Sequence, residues 1–290
     1  MTWFEQSRAS AQLNGYGAKK IALTPILRLS IRSVFLPRRP DGRQLTDACG
    51  LGKEALNMTV KTGFDGFPRE AVAWYAELAR NNSREWFSQH KEEFETFAMA
   101  PARDFVFEMG ERLKEIAPKI VADPRVDKSI FRPYRDTRFS KDKAPYKTHL
   151  GIFFWAGNLA KMDCPGFYFH LEPPDLLLAA GNHCFSRPLL QQYRDSVVDP
   201  KHGSALAKAV ASVQKKGPYA IGEKQFKKTP RGYDPSHKNA ELLLFGGLTT
   251  WVTTPIPAEL HSKDIVEYCF ARFKDMAPIF FWLLDMIGRV

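Results

Sequence analysis

The sequence predicts an α+β fold, a single antiparallel sheet flanked by helices. Three observations carry that prediction. Apolar residues recur with helical period between residues 67 and 120, and short β-rich runs separated by turns begin at residue 130. Helical periodicity then returns from residue 187 and again at the C-terminal end. Residues 58–290 hold all of these patterns and read as one domain.

The first helix comes from "FPREAVAWYAELARNN", where Ala71, Trp74, Tyr75 and Leu78 fall on one face. Asn82 with Glu85 has the form of a capping box opening a second helix. That helix turns Phe87, Phe94 and Phe97 inward and ends near Pro101. A third places Val106, Met109, Leu113, Ile116 and Ile120 on one face. The strand candidates are "SIFRPY", "THLGIFFWA", "GFYFHLE" and "DLLLAAG", with "AGN", "DCPG" and "EPPD" as the turn signals. Successive short strands without helices between them read as an antiparallel meander. Helices follow at "RPLLQQYRDSVV" and "GSALAKAVASVQ", then the loop "KKTPRGYDPSHKN", the run "AELLLFGG" and a strand "LTTWVTT". A closing helix carries Val266, Cys269, Phe270, Phe273 and Ala277 on one stripe, and Pro278 is expected to end or kink it.

Composition bounds the class. Apolar content of 44% and charged content of 26% are those of a soluble globular protein, and 22 phenylalanines indicate a well-filled core. Cys49, Cys164, Cys184 and Cys269 form no CxxC pair, which points away from structural zinc or a disulfide framework and toward a reducing, cytoplasmic compartment. No apolar run reaches membrane-spanning length, so no membrane partner is expected.

The net charge of +10 is local. Residues 1–57 carry nine Lys/Arg against four acids, and residues 132–149 carry six against two. The rest is nearly neutral, which suits a small anionic ligand better than the broad basic face of a nucleic-acid binder. Residues 1–57 themselves lack a periodic stretch. A disordered basic arm, an Arg-rich transit peptide and a start codon assigned ahead of Met58 are the competing expectations.

The densest chemistry lies in "YRDTRFSKDKAPYKTHLG". Arg135 and Arg138 offer planar forks for phosphate or carboxylate, and Lys141, Lys143 and Lys147 offer point charges. Asp136 and Asp142 are candidates to orient the arginines or to accept protons. His149 is the group that titrates near neutrality, so it joins the two aspartates as a candidate acid or base. Phe139, Pro145 and Tyr146 are expected to anchor the loop, and Tyr146 is also a candidate to bind the anion. A second cationic loop, "KKTPRGYD", would bring Lys228 and Arg231 to the same anion. His170 and Glu172 alternate onto one strand face with His183 one hairpin away, a donor set of the kind that binds zinc or non-haem iron. A polar strand face accounts for them, however, and no tightly bound metal is expected there; the sequence does not identify a cofactor. Trp86 and His90 read as core and boundary residues, and Arg194 as a buried ion-pair arginine.

These blocks carry a resemblance. "RDTRFSKDKAPYKTH", "ELARNNSREWFSQHKEEFE", "PGFYFHLEP" and "KKTPRGYD" followed by "HKNAELL" resemble the conserved bacterial and fungal family catalogued as domain of unknown function 2461. The likeness runs from about Phe64 to near the C-terminus. It departs from the family pattern after the "ELL" run, where Gly246 or Gly247 stands in place of a lysine. It implies boundaries and motif positions rather than an activity.

Three functions follow from these residues. The leading one binds a phosphorylated or nucleotide-like small molecule at the Arg/Lys cluster, with turnover assisted by His149 or an aspartate. In the second, the cluster is an ion-pair lattice in a non-catalytic structural protein. A nucleic-acid-binding module is the third, disfavoured by near neutrality elsewhere. Oligomeric state is not legible in the sequence.

Overall fold

A computed structural model describes residues 63–138 and 140–289. The expectations for residues 1–57 and for Phe139 lie outside the described residues.

Among the described residues, six helices and five strands form an α+β domain. Helix α1 is Arg69–Arg80 and α2 is Arg84–Gln89. Helix α3 is composite, running from Lys91–Glu93 through a π-helical stretch, Phe94–Met99, into Ala100–Leu113. Strands β1 (Leu150–Trp155), β2 (Gly166–Glu172) and β3 (Asp175–Asn182) form the meander. Then come α4 (Arg187–Val198), α5 (Pro200–Gln214), β4 (Ala220–Ile221), β5 (Leu248–Pro255) and α6 (Ile265–Ile287). The sheet order is β1-β2-β3-β5-β4 and every pairing is antiparallel.

Period-two alternation gives the sheet two different faces. Leu150, Ile152 and Phe154 of β1, Phe167, Phe169 and Leu171 of β2, and Leu176, Leu178 and Ala180 of β3 enter the main core with the helices. Phe67 stacks on Phe169 at 5.6 Å and Phe280 of α6 on Phe167 at 4.6 Å. The opposite face carries a smaller cluster, Phe153, Tyr168 and Ala179, with Phe131, Trp155, Leu177 and Trp251 packed against it. Helices cover one face, and the segment before β1 partly covers the other. No described helix is long and apolar enough to cross a membrane.

Four local expectations are corrected. Ser83, not Asn82, caps α2, its hydroxyl accepting from the Trp86 N–H. Helix α3 does not stop at Pro101. The wide π-turns precede it, and the proline sits in the first turn of the next α-helical stretch, where its missing N–H has least consequence. The last helix likewise runs through Pro278, because Ile279, Phe280, Trp282, Leu283 and Met286 are buried on its far side and hold the turn in place. The "SIFRPY" run makes only isolated bridges, Ile130 with Val126 and Ile152, and Tyr134 with Tyr146.

Candidate functional site

The face away from the helices gathers its chemistry at one end. Alternation along β2 puts Tyr168, His170 and Glu172 there. Residues 131–135 run antiparallel to the entry of β1: the Phe131 N–H donates to the Gly151 carbonyl, Lys147 N–H to Pro133 and Arg135 N–H to Pro145. The bridge from Ile130 to Ile152 is followed by one from Tyr134 to Tyr146, so four steps on one side match six on the other. The surplus is absorbed in a bend at Thr148 and His149, a bulge that re-aims both side chains. His149 thereby lands on His170, with the rings stacked at 4.1 Å.

Gly151 lies opposite His170 in the register, and a Cβ there would come within 2.7 Å of the Tyr168 hydroxyl and 3.2 Å of Phe131. Its missing side chain lets Tyr168 lie across β1 and reach the histidine. The Tyr168 hydroxyl and His170 Nδ1 are 3.0 Å apart, and His170 Nε2 is 3.2 Å from Glu172 Oε2. The Thr148 hydroxyl donates to Glu172 Oε1 at 2.7 Å. One ligand atom each from His149, His170 and Glu172 falls within 4.8 Å of the others. His149 Nδ1 is buried without a hydrogen-bond partner.

Charge follows from these surroundings. Burial, then the neighbouring His170 and Lys147, hold His149 well below the usual histidine range, so it is neutral at pH 7. Burial pushes Glu172 up, but hydrogen bonds from His170 and Thr148 outweigh it and leave the carboxylate below its ordinary value. Lys147 is pulled down to about 8 by burial, with Arg132 adding to the effect. Its side chain points over the Phe131 ring at 5.2 Å.

The cationic loop divides into buried and exposed groups. The Arg135 side chain is 6% exposed, its Nη1 donating to Asp142 Oδ2 at 2.5 Å and to the Ala144 carbonyl at 3.2 Å. Its Nη2 is buried with no acceptor. Arg138 is 76% exposed and bound to Asp136, while Lys143 donates to the Thr137 carbonyl. Lys141 is exposed. The side-chain hydrogen bond from Arg138 holds Asp136 down at about 2. The Ala144 N–H, then Arg135, lower Asp142. Both aspartates are engaged by arginines here, Asp136 by Arg138 and Asp142 by Arg135. Tyr146 anchors the loop as expected, its ring stacked on Phe87 at 4.0 Å. Asn82 grips its backbone, accepting from the Tyr146 N–H at 3.0 Å and donating to its carbonyl at 2.9 Å.

Other sequence candidates fall elsewhere. Lys228 and Arg231 are exposed on a loop whose Tyr233 hydroxyl donates to Asp195 of α4 at 2.7 Å, which ties that loop to α4. The Arg194 guanidinium lies over the Phe226 ring at 4.7 Å rather than in the expected ion pair. Trp86 is half-buried with His90 stacked on it. His183 follows β3 at the end opposite His170. Leu177 pairs with His170, so six residues, roughly 20 Å of strand, separate the two histidines. His149 takes the place that sequence reasoning gave to His183. Tyr168 and Thr148 were missed, although Tyr168 shares the alternation that marked His170 and Glu172.

Residues 70–282 match the family described as a conserved hypothetical protein, DUF2461. No curated protein and no solved structure matches the chain.

Proposed function

The chain belongs to the DUF2461 family of conserved hypothetical proteins, and from that premise we propose that it binds a small phosphate- or carboxylate-bearing molecule on the sheet face beside Arg135, Lys147 and His149. The observation that carries this reading is the buried, partnerless Nη2 of Arg135. A buried guanidinium with an unsatisfied N–H is costly, and an oxyanion is the partner its geometry fits. Lys147 adds a second buried cation, depressed first by burial and then by Arg132, with Asp127 partly offsetting Arg132 and Lys161. An anion would relieve both groups together. His149, His170 and Glu172 stand next to that anion and supply the groups that would act on it.

Mass action gives the test. A ligand at a hundredfold excess over its dissociation constant stabilises the fold by about 2.7 kcal/mol, a rise of roughly 5–10 °C for a domain of this size. Inorganic phosphate, pyrophosphate and a nucleoside triphosphate are the first ligands to try, with chelator present. Lys147→Met and Arg135→Lys should lose the shift, the second because lysine keeps the charge and loses the fork. Arg138→Ala should keep it, since that guanidinium is exposed and bound to Asp136. The structural reading draws on a specific observation of its own, the two Arg–Asp pairs closed within the loop. It wins if no anion moves the wild-type melt.

A further inference from the structure

We propose that His149, His170 and Glu172 hold a divalent transition metal of the zinc or ferrous-iron type. Two imidazoles and one carboxylate form a donor set for these ions that leaves coordination positions free for water or substrate. The three donors lie within 4.8 Å of one another. His170 Nε2 and Glu172 Oε2 are already 3.2 Å apart, so a metal about 2 Å from each donor needs mainly His149 drawn closer.

Three further features are those of a metal shell rather than of an ordinary polar strand face. The first is the buried Nδ1 of His149, a ring nitrogen left without a hydrogen-bond partner in a residue that stacks on His170. The second is the support behind each of the other two donors. Tyr168 engages Nδ1 of His170, fixing the ring and leaving Nε2 to face Glu172, and Thr148 holds Oε1 of Glu172, leaving Oε2 to face His170. Such outer partners orient metal ligands. The third is placement on rigid elements: His170 and Glu172 belong to β2, and His149 is fixed by the bulge at the start of β1.

One carboxylate leaves a divalent ion with net positive charge beside Arg135 and Lys147. The substrate class that fits is an oxyanion placed to bind the metal through one oxygen and the cations through the others. A metal in that position would polarise the anion or a bound water. The metal site rests on its own three residues and stands or falls apart from the anion reading.

The test uses the full chain, stripped with chelator and titrated with Zn²⁺ by calorimetry and with Co²⁺ by visible absorption. About one equivalent of metal should bind, with Co²⁺ showing the bands of a low-symmetry nitrogen–oxygen site and Zn²⁺ raising the melting temperature. His149→Ala and Glu172→Gln should abolish binding. Tyr168→Phe should weaken it about 10–100-fold, an effect that a purely structural tyrosine would not have on metal affinity. Lys147→Met should bind metal within a few-fold of wild type while losing any anion shift, which separates the two readings. The partly exposed Glu172 makes Glu172→Gln the variant most tolerant in folding. Wild type that takes up none of Zn²⁺, Co²⁺ or Fe²⁺, or a folded Glu172→Gln protein that binds as well as wild type, overturns the proposal.

Discussion

His149, buried, and His183, half-buried, are both depressed below the usual histidine range, yet their surroundings differ. His149 sits among titratable neighbours, whereas burial alone pulls His183 down to about 4. His183 therefore gives a clean linkage prediction. Its folded-state value lies below the unfolded one, so between pH 6.5 and 4 the unfolded chain binds a proton that the folded chain refuses. Its contribution is complete above about pH 6.5 and is lost as the pH falls toward 4, to a limit of roughly 3 kcal/mol. Denaturation across that range should show wild type losing stability relative to His183→Gln as the pH falls from 6.5 toward 4. Parallel curves would mean that the imidazole is solvated in the folded protein.

At the scale of elements, the loop bearing the cations is held from outside itself. Asn82, in the turn between α1 and α2, makes both hydrogen bonds to the Tyr146 backbone, while its neighbour Ser83 caps the helix. The two residues should respond differently to truncation. Asn82→Ala strands a part-buried N–H and C=O and should cost about 2–3 kcal/mol, with faster proteolysis between residues 136 and 144. Ser83→Ala should cost about 1 kcal/mol and leave that loop resistant. Equal costs, with no change in proteolysis, would remove the clamp from the argument. The same pair shows where the sequence was legible. Periodicity identified α1, with Ala71, Trp74, Tyr75 and Leu78 all buried, and the β1–β3 meander, because both are written in local alternation. It could not tell which of two adjacent polar residues caps a helix and which reaches 64 residues along the chain. It could not place His149 over His170 either, since that depends on a bulge and on strand register. The two-residue β4 is too short to leave a pattern.

For the whole molecule, the question is whether the helical front end and the sheet unfold together. Phe67 and Phe105 meet Phe169 of β2 from the front-end side, and Phe273 and Phe280 of α6 meet Phe167 on the same face. One continuous core thus runs from residue 64 to residue 287. A continuous core of this kind should open as one cooperative unit. Phe273, fully buried beside Phe167, is the residue through which to test this. Phe273→Ala should cost about 3–5 kcal/mol and lower the melting temperature by roughly 10 °C. If the unit is single, the most protected amides of α1, β2 and α6 should all lose that same free energy in native-state hydrogen exchange, although α1 lies far from residue 273 in sequence. Protection in α1 that survives the substitution would divide the chain into two folding units. The candidate site, supported by Asn82 on one side and β2 on the other, would then lie across their boundary.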